Sequence, residues 1–406
     1  MTLLESSIAG FLVVLGCGFV AAAGTSLFTK VLRRYARQWN LLDRPLEGRK
    51  IHTEPVATAG GIAIAGGVIL GVVVLHLGER PVSATALPLF WAGAVVVLGT
   101  GLWDDIYGMD PKGKFLLQVI AAYLLLHAGF HIEVGEFSFA WESGFERALY
   151  SIPLSVIWVV GIINAVNLTD GTDGLAAGVL AIAFLACATL YGLKGHIALM
   201  GFGVVVAGAL VGFLPYNFEP ASIFMGDSGS LFLGYLISAY ALQSPLHSDP
   251  YLALLILPFL LGIPVLDTGT AILRRLTSEE RNVFAPDTGH IHHRLVANGS
   301  EKRAALTLYA AEGWFGSAAI LMGTLPPAWG YTIAVGTMVI SVGWIWQLGC
   351  LQPISSEEET VEQDTTVAPA RANVALSRPD DSLKKIQGEA SRETRNVPTP
   401  EGRTER

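Results

Sequence analysis

The chain has 406 residues, of which 52% are hydrophobic and 15% charged, with a mean hydropathy of +0.50 and a formal net charge of −8. Soluble domains are about a quarter charged, so this composition excludes an ordinary water-soluble globular protein. Much of the negative charge sits outside the apolar part and identifies no partner, and nucleic acid is not expected to be one.

A spanning helix needs about 20 mostly apolar residues, and about eleven such runs follow one another. They centre on residues 8–28, 56–77, 82–102, 115–131, 149–166, 174–193, 196–214, 229–245, 251–273, 304–324 and 328–350. The first is preceded by Glu5 and followed by Lys30, Arg33 and Arg34. A secretory leader carries its positive charges before the apolar run, so this segment reads as a membrane anchor. Pro153, Pro258 and Pro264 mark expected kinks in two later runs, which neighbouring helices can accommodate. Cys17, Cys187 and Cys350 each lie in an apolar run without metal-ligand spacing and read as small buried hydrophobes.

The basic residues of the connections fall on one side. Lys30, Arg33, Arg34, Arg37, Arg44, Arg49 and Lys50 follow the first run. Lys112 and Lys114 follow the third, and Arg274, Arg275, Arg281, Arg294, Lys302 and Arg303 follow the ninth. The opposite connections are nearly free of them, and the longest, about 132–148, is acidic. By the positive-inside rule the N-terminus is outside and the C-terminus cytoplasmic. The expected fold is therefore an all-α, polytopic integral membrane protein with about eleven transmembrane helices, its membrane domain spanning residues 1–351. Residues 352–406 are polar, rich in Glu, Ser, Thr, Arg and Pro, and read as a disordered cytoplasmic tail.

Five polar clusters interrupt the apolar pattern, all in cytoplasmic connections or at cytoplasmic helix ends. In the first, Arg49, Lys50 and His52 precede Gly60 and Gly61, which open the second helix. Cations next to glycine-rich backbone at a helix N-terminus suit phosphate, although any cytoplasmic loop is basic. In the second, WDDIYGMDPKGK, Asp104 and Asp105 are adjacent and Lys114 follows. Two neighbouring carboxylates repel each other and are stabilised by a metal or a cationic substrate group nearby, or by a proton on one of them; a solvated helix end is the alternative, although acids at a membrane boundary are costly to keep.

The third, NAVNLTDGTDGLAAG, presents Asn167, Asp170 and Asp173 from a tight glycine-rich loop that follows Asn164. Such oxygen donors suit a hard cation such as Mg2+, which takes one or two protein ligands together with phosphate oxygens. In the fourth, FMGDSGS, Asp227 precedes the eighth helix as a further candidate metal ligand, an N-cap, or both at once. The fifth, FAPDTGHIHHRL, contains Asp287, His290, His292, His293 and Arg294. Its spacing lacks the helical His pair with an intervening glutamate of a zinc site, and a diphosphate-binding loop fits better, with Arg294 as a bidentate phosphate donor.

Taken in order over residues 43–295, the DD pair, NxxNxxDGxDGLA, FMGDxGS and HxHHRL resemble the polyprenyl-phosphate N-acetylhexosamine-1-phosphate transferases (glycosyltransferase family 4). That group includes the related phospho-MurNAc-pentapeptide translocases, and the HxHHRL form is more similar to the GlcNAc-1-phosphate branch. The resemblance implies transfer of a sugar-1-phosphate, GlcNAc-1-phosphate foremost, from a UDP-sugar to polyprenyl (undecaprenyl) phosphate with release of UMP. It implies Mg2+, with Mn2+ as a substitute, at Asp227 and Asn167. Asp104, Asp105, Asp170, Asp173 and Lys114 match catalytic positions. Arg49, Lys50, His52, Asn164, His290, His292, His293 and Arg294 match the substrate-binding side. It further implies a bacterial inner-membrane protein with its site on the cytoplasmic face, and is compatible with a homodimer. A secondary transporter is the alternative of another class, but its ionisable residues belong near the bilayer midplane. A phosphatidyl-alcohol transferase would gather its aspartates in one compact helical motif.

Overall fold

Without water to satisfy backbone polar groups, lipid-length apolar runs must become helices, and every expected run does. The computed structural model describes residues 3–36, 38–39, 41–43, 56–78, 88–132, 144–243, 246–277, 289–297 and 299–350. The expected tail and the basic group Arg49, Lys50 and His52 lie outside them, as does Asp287.

The order is α1 (Leu3–Tyr35), β1 (Leu42–Asp43), β2 (Val56–Ala57), α2 (Gly60–Leu77), α3 (Pro88–Tyr107), α4 (Pro111–His127), α5 (Gly144–Thr169), α6 (Leu175–Leu193), α7 (Ile197–Asn217), α8 (Gly226–Ala241), α9 (Pro250–Phe259), α10 (Gly262–Thr277), α11 (Ile291–Ala297), α12 (Glu301–Thr324) and α13 (Pro327–Gln347). Among the described residues, eight helices are individually long and apolar enough to cross a membrane, and a ninth span results if α9 and α10 count as one. The expected eleven includes α4 and α8, which at 17 and 16 residues are shorter than the others. The protein is a multi-span membrane protein, and its outer surface carries the large apolar groups that lipid requires, such as Phe19, Val95, Ile157, Val335 and Val339.

Two helices explain how the bundle is organised. From Ser228 to Ala241 every residue of α8 is buried, as expected of a helix without a polar face. α2, α3, α5 and α6 pack around it. α1 and α7 pack most closely where Gly208 and Gly212 meet the backbone at Gly18 and Ala22, so that a Cβ on either glycine would strike a carbonyl oxygen of α1. Small residues four apart let membrane helices approach in this way.

The ninth expected run is broken. α9 and α10 meet at 84° across Leu260 and Leu261. Pro258 lies just before the break and Pro264 in the first turn of α10, where a missing N–H costs least. Pro153, by contrast, is carried within the continuous helix α5.

β1 and β2 form an antiparallel pair, Leu42 opposite Ala57 and Asp43 opposite Val56. β2 leads into α2, whose first amides are already engaged. Gly60 N–H bonds Phe224 O at 3.1 Å and Gly61 N–H bonds Met225 O at 3.0 Å. The expectation that these glycine amides cradle a phosphate is therefore corrected. They instead tie the start of α2 to the chain entering α8.

Candidate active site

Five helix ends converge beside the first turn of α8. Asp104 and Asp105 end α3, Lys114 begins α4, Asn167 lies in the last turn of α5, Asp170 and Asp173 occupy the turn into α6, and Asp227 opens α8. At the centre, Lys114 Nζ lies 2.5 Å from Asp227 Oδ2 and 2.9 Å from Asp104 Oδ2. Asn167 Nδ2 donates to Asp227 Oδ1 at 2.6 Å and to Ser230 Oγ at 2.9 Å.

The adjacent aspartates have different surroundings. Asp104 is ion-paired with Lys114. Asp105 accepts the N–H groups of Asp227 at 2.8 Å and Ser228 at 3.1 Å, so it caps α8 from the neighbouring helix α3. The alternative of Asp227 as N-cap is not realised, because Asp227 sits inside the first turn and its carboxylate faces Lys114 and Asn167. Gly226 makes this entry possible. Its φ is +71°, and a Cβ there would come within 2.7 Å of Asp105 Oδ2.

Asn164, expected on the substrate side, is given to a helix contact. It donates to Gln118 Oε1 at 2.7 Å and to Val160 O at 2.8 Å. Gln118 lies one turn beyond Lys114, and Asn164 one turn before Asn167. The pair therefore sets α4 against α5 so that Lys114 and Asn167 reach Asp227 together. Asp173 accepts Ala221 N–H at 2.8 Å, which fastens the acidic turn to the α7–α8 connection. Asp170 is half-buried, and its pKa is raised well above the usual carboxylate range by withdrawal from water and then by the charges of Asp227, Asp105 and Asp173.

The histidine segment meets this turn directly. An ideal Cβ on Gly171 would lie 2.8 Å from His292 Nε2. His292 is buried, and among the described residues its Nε2 has no hydrogen-bond partner. Burial, followed by the neighbouring His293, lowers its pKa to about 3, so it is neutral near pH 7. The ring centroids of His292 and His293 are 4.1 Å apart, and those of His290 and His292 5.8 Å. His293 and Arg294 are half-buried on the same short helix, α11.

A search against family descriptions matches residues 87–244 to "Glycosyl transferase family 4". The chain is 37% identical over 297 residues to the probable undecaprenyl-phosphate N-acetylglucosaminyl 1-phosphate transferase of Bacillus subtilis, covering 73% of this chain and 81% of the relative. It is 36% identical over 321 residues to the decaprenyl-phosphate N-acetylglucosaminephosphotransferase of Mycobacterium tuberculosis strain H37Rv, covering 72% and 78%. It is 35% identical over 272 residues to the phospho-N-acetylmuramoyl-pentapeptide-transferase of Moorella thermoacetica, covering 62% and 80%. The chain belongs to glycosyl transferase family 4.

In this family 4 protein two buried carboxylates escaped the sequence reading. Asp267 of α10 and Glu312 of α12 are 4% and 0% exposed. Each lies within an apolar run, and an ionisable residue at such depth is itself the signal that could have found it.

The donor set suits a hard cation. No three or more His, Cys, Asp or Glu side chains among the described residues are grouped to hold a metal. The carboxylates of Asp104 and Asp227 do share a cation position, filled by the Lys114 ammonium. Oxygen donors in this number are what Mg2+ uses when phosphates complete its shell. Asn167 points its amide nitrogen at Asp227 and so supports that carboxylate in the arrangement seen.

Proposed function

We propose that this chain transfers GlcNAc-1-phosphate from UDP-GlcNAc to polyprenyl phosphate, releasing UMP, as a first membrane step in building a cell-envelope glycan. The carrying observation is the Lys114 ammonium bridging Asp104 and Asp227, with Asp105 fixing the helix turn that bears Asp227. The names of the Bacillus and Mycobacterium relatives support both the reaction and the polyprenyl-phosphate acceptor class.

In the reaction, an oxygen of the lipid phosphate attacks the sugar-bearing phosphorus of UDP-GlcNAc. One P–O bond forms, the P–O bond to UMP breaks, and UMP leaves with the bonding pair. Both reactants are anions, so the protein must supply positive charge and alignment. Lys114 supplies charge next to Asp227, and Arg294 with the α11 histidines would face the sugar nucleotide. Asp104 holds Lys114 in place. A phosphate monoester has a second pKa near ~6, so the acceptor is already mostly dianionic at neutral pH and Asp104 serves placement more than proton removal. Asp227 would hold Mg2+ or Mn2+, with Asn167 orienting it. When bound, such an ion supplies charge neutralisation on the diphosphate.

The site belongs at the cytoplasmic face of a bacterial inner membrane, with the N-terminus outside. Basic connections collect on that side. Trp103 and Tyr107 flank the aspartate pair and are 56% and 70% exposed, as suits the membrane–water interface. There a soluble sugar nucleotide and a lipid-anchored phosphate can meet. The test is UMP release by purified protein given polyprenyl phosphate and a panel of UDP-sugars. UDP-GlcNAc should be preferred, and chelation should stop turnover until Mg2+ or Mn2+ is restored. Solute flux across vesicles without UMP release would refute the proposal.

A further inference from the structure

Asp267 bonds the histidine segment directly, and Glu312 holds the start of the helix that carries Asp267. Glu312 Oε2 accepts the N–H of Ile263 at 2.8 Å, in the first turn of α10 just past the 84° bend. The carboxylate thereby satisfies a backbone donor that the break exposes, and holds α10 to α12. One turn further along α10, Asp267 accepts the Ile291 N–H on Oδ1 at 2.7 Å. Its Oδ2 lies 2.9 Å from His290 Nδ1. A single carboxylate thus fixes both the start of α11 and the ring of the first histidine of the motif.

Asp267 and His290 are 4% and 5% exposed, so water competes little for either hydrogen bond. An imidazole held at Nδ1 by a carboxylate has its plane fixed and turns Nε2 outward. Carboxylates behind metal-ligating histidines orient their rings in the same manner. The same segment reaches the acidic turn through His292 and Gly171, and α10, which carries Asp267, packs against α5, which carries Asn167.

We propose that Asp267 is a positioning residue for sugar-nucleotide binding, acting through His290, whose Nε2 it directs toward the diphosphate of the UDP-sugar. The proposal rests on the transferase reading above. Asp267 touches neither reacting phosphate, and its effect passes through the imidazole and the start of α11.

The experiment is a double-mutant cycle of Asp267→Asn and His290→Ala, read by UMP release with UDP-GlcNAc and polyprenyl phosphate varied separately. Asp267→Asn should raise KM for UDP-GlcNAc by about tenfold to a hundredfold, the worth of one hydrogen bond to a charged group. KM for polyprenyl phosphate should stay within about twofold, and Asp267→Glu should recover part of the loss. In the His290→Ala background the same substitution should change KM by less than about threefold. Should Asp267→Asn not fold, Asp267→Ser closes the same cycle. Additive losses, or an equal rise in both KM values, overturn the proposal. A wild-type protein that releases no UMP from any UDP-sugar overturns the transferase reading, and the proposal falls with it.

Discussion

Replacing Lys114 by Gln removes the ammonium that bridges the Asp104 and Asp227 carboxylates. Its ammonium lies 2.5 Å from Asp227 and 2.9 Å from Asp104, and its side chain is 16% exposed. A hydrogen bond to a charged group contributes about 1.5–3 kcal/mol. Partial contact with water puts each of these two near the lower end, and the same ammonium acting with a strength of about 3 kcal/mol on the charge of the transition state corresponds to about a 150-fold change in rate. Lys114→Gln should therefore lower kcat/KM for UMP release about a hundredfold, while the protein still elutes as a single species in detergent. Lys114→Arg keeps the charge but replaces a compact ammonium by a planar fork, and should lose only about tenfold. Activity of Lys114→Gln within about threefold of wild type would refute the reasoning. So would an Arg variant as damaged as the Gln variant, because charge would then not be the quantity that matters.

Three further outcomes follow from the same geometry. Asp105→Ala leaves the first amides of α8 without their acceptor and should cost about 1–2 kcal/mol. Thermal unfolding in detergent should show a clear drop in Tm, larger than for Asp104→Ala, which leaves that cap in place. Asn164→Leu and Gln118→Leu each strand a partner amide between α4 and α5 and should destabilise by about 1–3 kcal/mol. The double variant should be milder than the worse single one, and a sum of the two losses would show that the pair is not a unit. Gly171→Ala puts a methyl 2.8 Å from His292 Nε2, so KM for UDP-GlcNAc should rise about fivefold with a smaller change in kcat; an unchanged KM would separate the acidic turn from the histidine segment.

The membrane helices were legible because length and hydropathy alone determine them in lipid. The break in the ninth run was only hinted at by Pro258 and Pro264, and no local pattern shows that Glu312 of α12 accepts the Ile263 N–H just past it. Within the site, residue types were readable but partners were not. Asp104 and Asp105 are neighbours in sequence, yet one meets Lys114 and the other two backbone amides of α8. Asn164 and Asn167 are three residues apart on the same helix, yet one binds Gln118 and the other Asp227. Gly60 and Gly61 looked like a phosphate cradle because nothing local shows that Phe224 and Met225 supply carbonyls there. Asp267 sits inside an apolar stretch, and its partners His290 and Ile291 come from a segment more than twenty residues away.

The enclosure of α8 separates two kinds of selection on its residues. Membrane insertion judges a segment by its hydropathy, whereas neighbours on every side judge it by volume. An Ala239→Leu change makes α8 more oily and so enters the bilayer readily, but Ala239 is 0% exposed and the extra methyl groups must displace a surrounding helix. Such variants would accumulate in membranes at near-normal abundance while the turn bearing Asp227 shifts. Variation in this helix should therefore be silent in expression screens and visible in glycan synthesis.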